Sequence, residues 1–173
     1  MDHIRFSAAG PFKIPCDKHE TSSRIKQIRS EHTKNFWKGH PESFADKSGC
    51  YVFALSASGG YMPWYVGKTK KVLSKEIFTP DKLNKFNKPL FKGKKATPVI
   101  FFIARSDERK IIPQTVLSQL EKFLIQEAKN KNPDLINKVN AKKKEDWSID
   151  GVYRPKKGTS SKKSRVFKKM MGL

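Results

Sequence analysis

Acidic residues are scarce in this chain. Sixteen Asp and Glu face thirty-seven Lys and Arg across 173 residues, which leaves a formal net charge of +21. Such an excess opposes compaction through self-repulsion and favours a polyanionic partner. Nucleic acid is the first candidate, because each lysine that meets a phosphate releases condensed counterions. A solubilising lysine surface is the plain alternative. Cysteine is scarcer still: Cys16 and Cys50 are the only two, and they lie far apart. That argues against a disulfide framework and fits a reducing cytoplasm. Long apolar runs are also missing. None approaches the roughly 20 residues of a membrane span, and no basic amphipathic helix carries a clean Trp/Leu face for an anionic bilayer. Asp2, His3 and Arg5 interrupt any apolar core near the start, so no signal peptide is expected there.

Residues 1–46 read as an N-terminal extension. The stretch RFSAAGPFKIPC looks irregular, with Gly10, Pro11 and Pro15 as breakers. A helix is expected after it. Asp17 and Glu20 form a capping-box pattern, Ile25, Ile28, His32 and Phe36 recur at helical spacing, and Gly39 and Pro41 end the run. Two strands follow, CYVFALSA and WYVGKT, joined around Gly59 and Gly60 as an antiparallel hairpin. A short helix over about 71–78 precedes a second helical piece with Leu83, Phe86 and Leu90. The apolar run TPVIFFIARS reads as a buried central strand. The clearest helix opens at Pro113 and is stopped by Pro133, with Val116, Leu117, Leu120, Phe123, Leu124, Ile125 and Ala128 on its apolar arc. Residues 141–173 form a basic C-terminal extension, with WSIDGVY as a short strand and a closing helix capped by Ser160 or Ser161. In that helix Val166, Phe167 and Met170 are expected to face inward. The order of elements predicts a small α/β (α+β) domain over 47–140, built on a three-stranded, mostly antiparallel sheet flanked by helices.

Several residues carry chemical possibilities. Glu121 falls inside the apolar arc of the long helix. A buried, unpaired carboxylate is costly, so it must be neutralised, paired with a lysine or bound to a metal. Strand alternation places Tyr51, Phe53 and Leu55 on one face, and Tyr65 and Gly67 on one face of the next strand. The glycine leaves space beside the sheet. Two phenols near Lys68, Lys70 and Lys71 could hydrogen-bond a phosphate or a water, or simply pack a hairpin. Cys16, His19, His32 and His40 invite a zinc reading but lack a second close ligand pair. Trp37, Trp147 and Tyr153 could stack bases or pin the extensions to the core.

Gly49-Cys50-Tyr51, then Tyr65-Val66-Gly67-Lys68, then Glu121 on the long helix, together resemble the GIY-YIG nuclease family. GCY stands for its first motif and YVG for its second. The form YVGK is similar to that of the excision-repair nuclease UvrC and of many small bacterial members. The resemblance covers about 47–140 and implies a three-stranded antiparallel sheet flanked by helices. It implies that Tyr51 is a general base or orients the attacking water, and that Tyr65 hydrogen-bonds that water or the scissile phosphate. Lys68 would stabilise charge or tune Tyr51. Glu121 would hold a single divalent cation, Mg²⁺ or Mn²⁺, and Asn137 would support the site.

Where the family carries an arginine after the second motif, this chain offers Lys75, which keeps the charge but loses the bidentate fork. Arg105 is a second candidate for that task. Lys70, Lys71, Lys92, Lys94 and Lys95 would grip the backbone without reading sequence. The resulting expectation is a metal-dependent endonuclease that hydrolyses DNA phosphodiester bonds. Two alternatives stand beside it: a weakly active or inactive nucleic-acid-binding protein on the same scaffold, and an RNA-associated basic protein.

Overall fold

The computed structural model describes residues 4–19, 22–39, 41–92, 96–106, 112–137, 147–153 and 160–173, with residues 19 and 22–25 described for their backbone alone. The sheet is built around the strongest apolar runs. β4 (Gly49–Ala57) pairs with β5 (Gly60–Thr69) on one side and with β6 (Thr97–Arg105) on the other, antiparallel in both cases. β6 then pairs antiparallel with β1 (Ile4–Lys13), and β1 pairs in parallel with β7 (Trp147–Ile149). The result is a five-stranded mixed sheet in the order β5-β4-β6-β1-β7.

This overturns the expected small three-stranded sheet. The sheet does not stop at β6, because RFSAAGPFK is a strand rather than irregular chain. Its misleading signal was Gly10-Pro11, which sits in a β-bulge between Ala9 and Phe12, with Gly10 at φ 125°. A bulge tolerates both residues while the strand resumes its pairing beyond it. A side chain at Gly10 would press on the Ile100 carbonyl at 2.9 Å, so the bulge also brings the two backbones close together.

The helix expected after Asp17 is also absent. β2 (Asp17–His19) and β3 (Ser22–Gln27) form a separate antiparallel pair instead. Glu20, the other half of the expected capping box, lies outside the described residues. Asp17 turns to His32, with 2.6 Å between Oδ2 and Nε2. Ile28 and Phe36, read as one helical stripe, are both buried, but they reach the core from the non-helical end of β3 and from a turn beyond α1 (Ser30–Thr33). Asn87 secures this entry: its Oδ1 accepts from Ile28 N at 2.8 Å and its Nδ2 donates to Ile28 O at 2.9 Å.

Helices cover both faces. α2 (Glu42–Ala45), α3 (Leu73–Glu76) and α4 (Pro80–Phe91) lie with one, and α5 (Gln114–Lys131) and α6 (Lys162–Met171) with the other. α5 follows its sequence pattern, burying Leu117, Leu120, Phe123, Leu124, Ile125 and Ala128. α6 is capped by Ser161, whose hydroxyl accepts from Ser164 N at 3.1 Å, and it ends at the left-handed Gly172. Alternation along the strands divides the core in two. Cys50, Val52, Ala54, Val66 and Phe101 pack with α5 and α6, whereas Tyr51, Phe53, Tyr65, Ile100 and Phe102 pack with α3 and α4. No helix among the described residues is long and apolar enough to cross a membrane.

Candidate functional site

The two tyrosines come together on the α4 face. Tyr51 of β4 stands directly across from Gly67 of β5. A Cβ at position 67 would overlap the Tyr51 ring and hydroxyl, so the glycine is what lets the phenol lie across the neighbouring strand. Tyr51 is fully buried, and its hydroxyl oxygen has no hydrogen-bond partner among the described residues. Burial pushes its pKa far above the ordinary phenol range, and the nearby Tyr65, Glu76, Cys50 and Glu121 push it further in the same direction. Tyr51 is therefore a neutral phenol, suited to donating a hydrogen bond rather than removing a proton.

Tyr65 lies beside it, with ring centroids 6.2 Å apart. The Lys82 and Lys85 ammonium groups of α4 sit 5.7 Å and 5.2 Å from its ring centre. Lys82 also meets Glu76 at 3.4 Å and Asp81 at 3.3 Å, and Lys85 meets Asp81 at 2.7 Å. Partial burial alone would lower the Lys82 pKa, yet Tyr65, Asp81 and Glu76 together raise it above the usual lysine range. The Lys85 ammonium beside Asp81, aided by Lys82, holds that carboxyl below its usual range.

Lys68 and Glu121 meet on the opposite face. Lys68 Nζ lies 2.7 Å from Glu121 Oε2 and donates to Ser118 Oγ at 3.1 Å. The side chains keep 27% and 21% of their exposure, so the pair is partly screened by water. The apolar-arc glutamate is thus paired with a lysine. The pair adjoins the buried Cys50 thiol, which burial pushes well up, with Glu121 adding to the effect and Lys68 opposing it. Glu121 still acts electrostatically on Tyr51 from across the sheet. The phenols and the carboxylate are thus neighbours through the end of the β4–β5 pair, not members of one open cleft.

Asn137 does not touch either hydroxyl. Its Oδ1 accepts from Val66 N at 2.8 Å and its Nδ2 donates to Val66 O at 2.7 Å. Ile136 N donates to Trp64 O at 3.0 Å, and Asn132 Nδ2 donates to Pro63 O at 2.7 Å. The segment after α5 therefore seals the outer edge of β5, the strand that carries Tyr65, Gly67 and Lys68. An edge strand left bare would expose these groups and loosen the register.

The remaining expected cations are dispersed. Lys70, Lys71 and Lys75 are exposed near the end of β5 and on α3. Lys92 is exposed and lies 5.7 Å from the Trp64 ring. Arg105 is buried at the end of β6 opposite Phe6, away from the open surface where a phosphate would arrive. Lys94 and Lys95 lie outside the described residues, as does His40, and His19 is described for its backbone alone. Among the described residues, Asp17, Glu31 and His32 have potential ligand atoms within 4.8 Å of one another. Both ring nitrogens of His32 are engaged, Nε2 with Asp17 and Nδ1 accepting from Arg29 N at 3.0 Å. A metal there would have to displace one of those bonds.

Sequence reasoning missed Glu76, Lys82, Lys85 and Ser118. The i,i+3 spacing of Lys82 and Lys85, on a helix whose other face holds Phe86 and Leu90, was the available signal. Comparison of the chain with protein-family models, curated proteins and solved structures finds no match.

Proposed function

We propose that this protein binds DNA through its lysine surface and hydrolyses a phosphodiester bond beside the Tyr51–Tyr65 pair. The observation that carries the reading is the Tyr51 hydroxyl, fully buried, without a partner, and given room by Gly67. Leaving such a group unsatisfied costs about 1–3 kcal/mol, and a phenylalanine would pack in its place without that penalty. A task outside folding accounts for the oxygen.

In this reading Tyr51, neutral, orients the attacking water or donates to the phosphate, and Tyr65 contacts the same group from the neighbouring strand. Glu121 would hold the divalent cation. Its donor set is a single, partly exposed carboxylate, which fits Mg²⁺, an ion that keeps several waters and takes few protein carboxylates beside substrate phosphates. Because Glu121 and the tyrosines lie on opposite faces of the sheet, a cation there would supply charge neutralisation at the leaving oxygen only for a phosphate that reaches round the end of the β4–β5 pair. Lys68, paired with Glu121 and Ser118, holds that carboxylate in place and balances its charge. Asn137 positions the strand and does not take part in the chemistry. Lys70, Lys71 and Lys92 contact the backbone for affinity.

A second reading, a binding scaffold with little cleavage, is favoured by one observation. The Glu121 carboxylate already has an ammonium at 2.7 Å, which competes with a cation for its oxygens. The purified protein should be incubated with single-stranded, duplex, nicked and branched DNA in Mg²⁺, in Mn²⁺ and in EDTA, beside Glu121→Ala. Metal-dependent cleavage lost in Glu121→Ala is expected. Tight, salt-sensitive binding with no cleavage of any substrate would sink the nuclease and leave the scaffold.

A further inference from the structure

We infer that Lys82 and Lys85 of α4, together with the Tyr65 hydroxyl, form a phosphate-binding cradle, and that this is where a nucleic-acid strand is held against the tyrosine pair. The inference deepens the nuclease reading and rests on it only for what happens after binding.

Three features support the cradle. The two ammonium groups stand three residues apart on one turn, on the side of α4 that faces Tyr65, at 5.7 Å and 5.2 Å from its ring centre. They are held in place rather than waving in solvent: the Lys82 side chain keeps only 16% of its exposure and Lys85 29%. Two ammonium groups close to one phenol ring offer donors to separate oxygens of a tetrahedral anion.

The counterions explain how the cradle stays intact without a ligand. Asp81 pairs with both lysines, at 3.3 Å and 2.7 Å, and is itself 63% exposed. It can swing into water when a phosphate takes its place, because an exposed carboxylate is readily resolvated. Glu76, less exposed and 3.4 Å from Lys82, remains to hold that lysine. The fully buried Tyr51 ring lies 6.2 Å from that of Tyr65, so the cradle adjoins the tyrosine pair. Lys88 and Lys92 are exposed further along α4 and continue the positive surface toward Trp64. A strand entering at Tyr65 would therefore run along the helix. Lys75, exposed on α3, stands outside this arrangement.

The test uses tyrosine labelled with ¹³C at Cζ, with inorganic phosphate and a short duplex as probes. In the parent, the Tyr65 resonance should shift on phosphate titration. In Lys82→Met/Lys85→Met the shift should disappear, while Lys82→Arg/Lys85→Arg should restore it. On duplex DNA, the Lys-to-Met pair should reduce the slope of log K against log salt by about 0.9 for each phosphate no longer neutralised, roughly 2 for the pair. Lys75→Met should leave the Tyr65 shift unchanged. An unshifted Tyr65 in the parent, or an equal shift in the Lys-to-Met variant, would overturn the cradle. A Tyr65 shift in a protein that cleaves nothing would overturn the nuclease reading and leave the cradle standing.

Discussion

The two faces of the sheet solve the same packing problem in different ways. On the α5 face the strands present Cys50, Val52, Ala54 and Val66 to a helix stripe of Leu117, Leu120, Leu124 and Ala128, and the one intruding carboxylate, Glu121, is answered by Lys68. On the α4 face Phe53 stacks on Phe86 at 4.4 Å with planes 7° apart, but beside that stack a buried phenol is left without a partner. Each face breaks one rule of a stable core: on the α5 face the buried Trp147 Nε1 also lacks a hydrogen-bond partner among the described residues, and on the α4 face a glycine makes room for the orphaned Tyr51 hydroxyl. Such violations are expected where stability is given up for function, and Tyr51 differs from Trp147 in having a second tyrosine close by with two lysine ammonium groups over its ring.

Substitutions on the two faces should therefore separate stability from activity. The largest loss of stability is expected from Leu120→Ala, a cavity under α5, at about 2–5 kcal/mol by urea titration. Any protein that remains folded should keep the cleavage proposed above. Gly67→Ala should cost about 1–3 kcal/mol, because the new Cβ displaces the Tyr51 ring. It should also abolish cleavage at temperatures where circular dichroism shows a folded chain, and cleavage at the parental rate would refute the cradling of Tyr51. Asn137→Ala removes both side-chain bonds to Val66 at the β5 edge. A loss of about 1–2 kcal/mol is expected, with faster hydrogen exchange at the Val66 amide as its direct signature.

The smallest and most diagnostic change is Tyr51→Phe. Removing an unsatisfied buried oxygen should stabilise the fold by about 1 kcal/mol while eliminating cleavage. It should also change the pH dependence. The folded-state pKa of Tyr51 is raised, so the unfolded phenol ionises first as pH climbs past its ordinary value of about 10. Above that point the unfolded state binds fewer protons than the native one, and stability falls with rising pH. Tyr51→Phe should flatten part of that alkaline decline in thermal melts, and an unchanged decline would show that Tyr51 is not the group responsible.

Much of the central region was legible in the sequence. The continuous apolar run of β6 announced a strand buried on both faces, and the α5 stripe announced its packing. Ser161 and the Phe167–Met170 spacing announced α6. Tyr65 and Gly67 were legible as one face because alternation holds from Tyr65 to Gly67, whereas the irregularity just before it, which puts Trp64 on the same face as Tyr65, was not. Other features depended on partners that local sequence does not reveal. Gly10-Pro11 breaks a helix and an ordinary strand alike, and only the company of β6 turns it into a bulge. The spacing of Ile28, His32 and Phe36 is helical, yet hairpin pairing and the Asn87 clamp place those residues without a helix. Glu121 could be read as anomalous, but its partner came from another element. Strand parity could have shown that Lys68 and Tyr65 face opposite sides, since an odd separation within one strand puts them there.

The parallel pairing of β1 with β7 has a consequence for how the chain is completed. β1 is the earliest described strand and β7 the latest, and Ile4 is matched with Trp147. As the polypeptide leaves a ribosome, β1 gains its first neighbour only once β6 has emerged, and its second only after residue 149 is free. During that interval it is an unpaired edge next to the most apolar strand of the protein, with Phe6 and Ala8 uncovered by α6. A newly made chain paused before Trp147 would be a target for chaperones, and a truncation that spares every candidate site residue but removes β7 and α6 would leave that edge open for good.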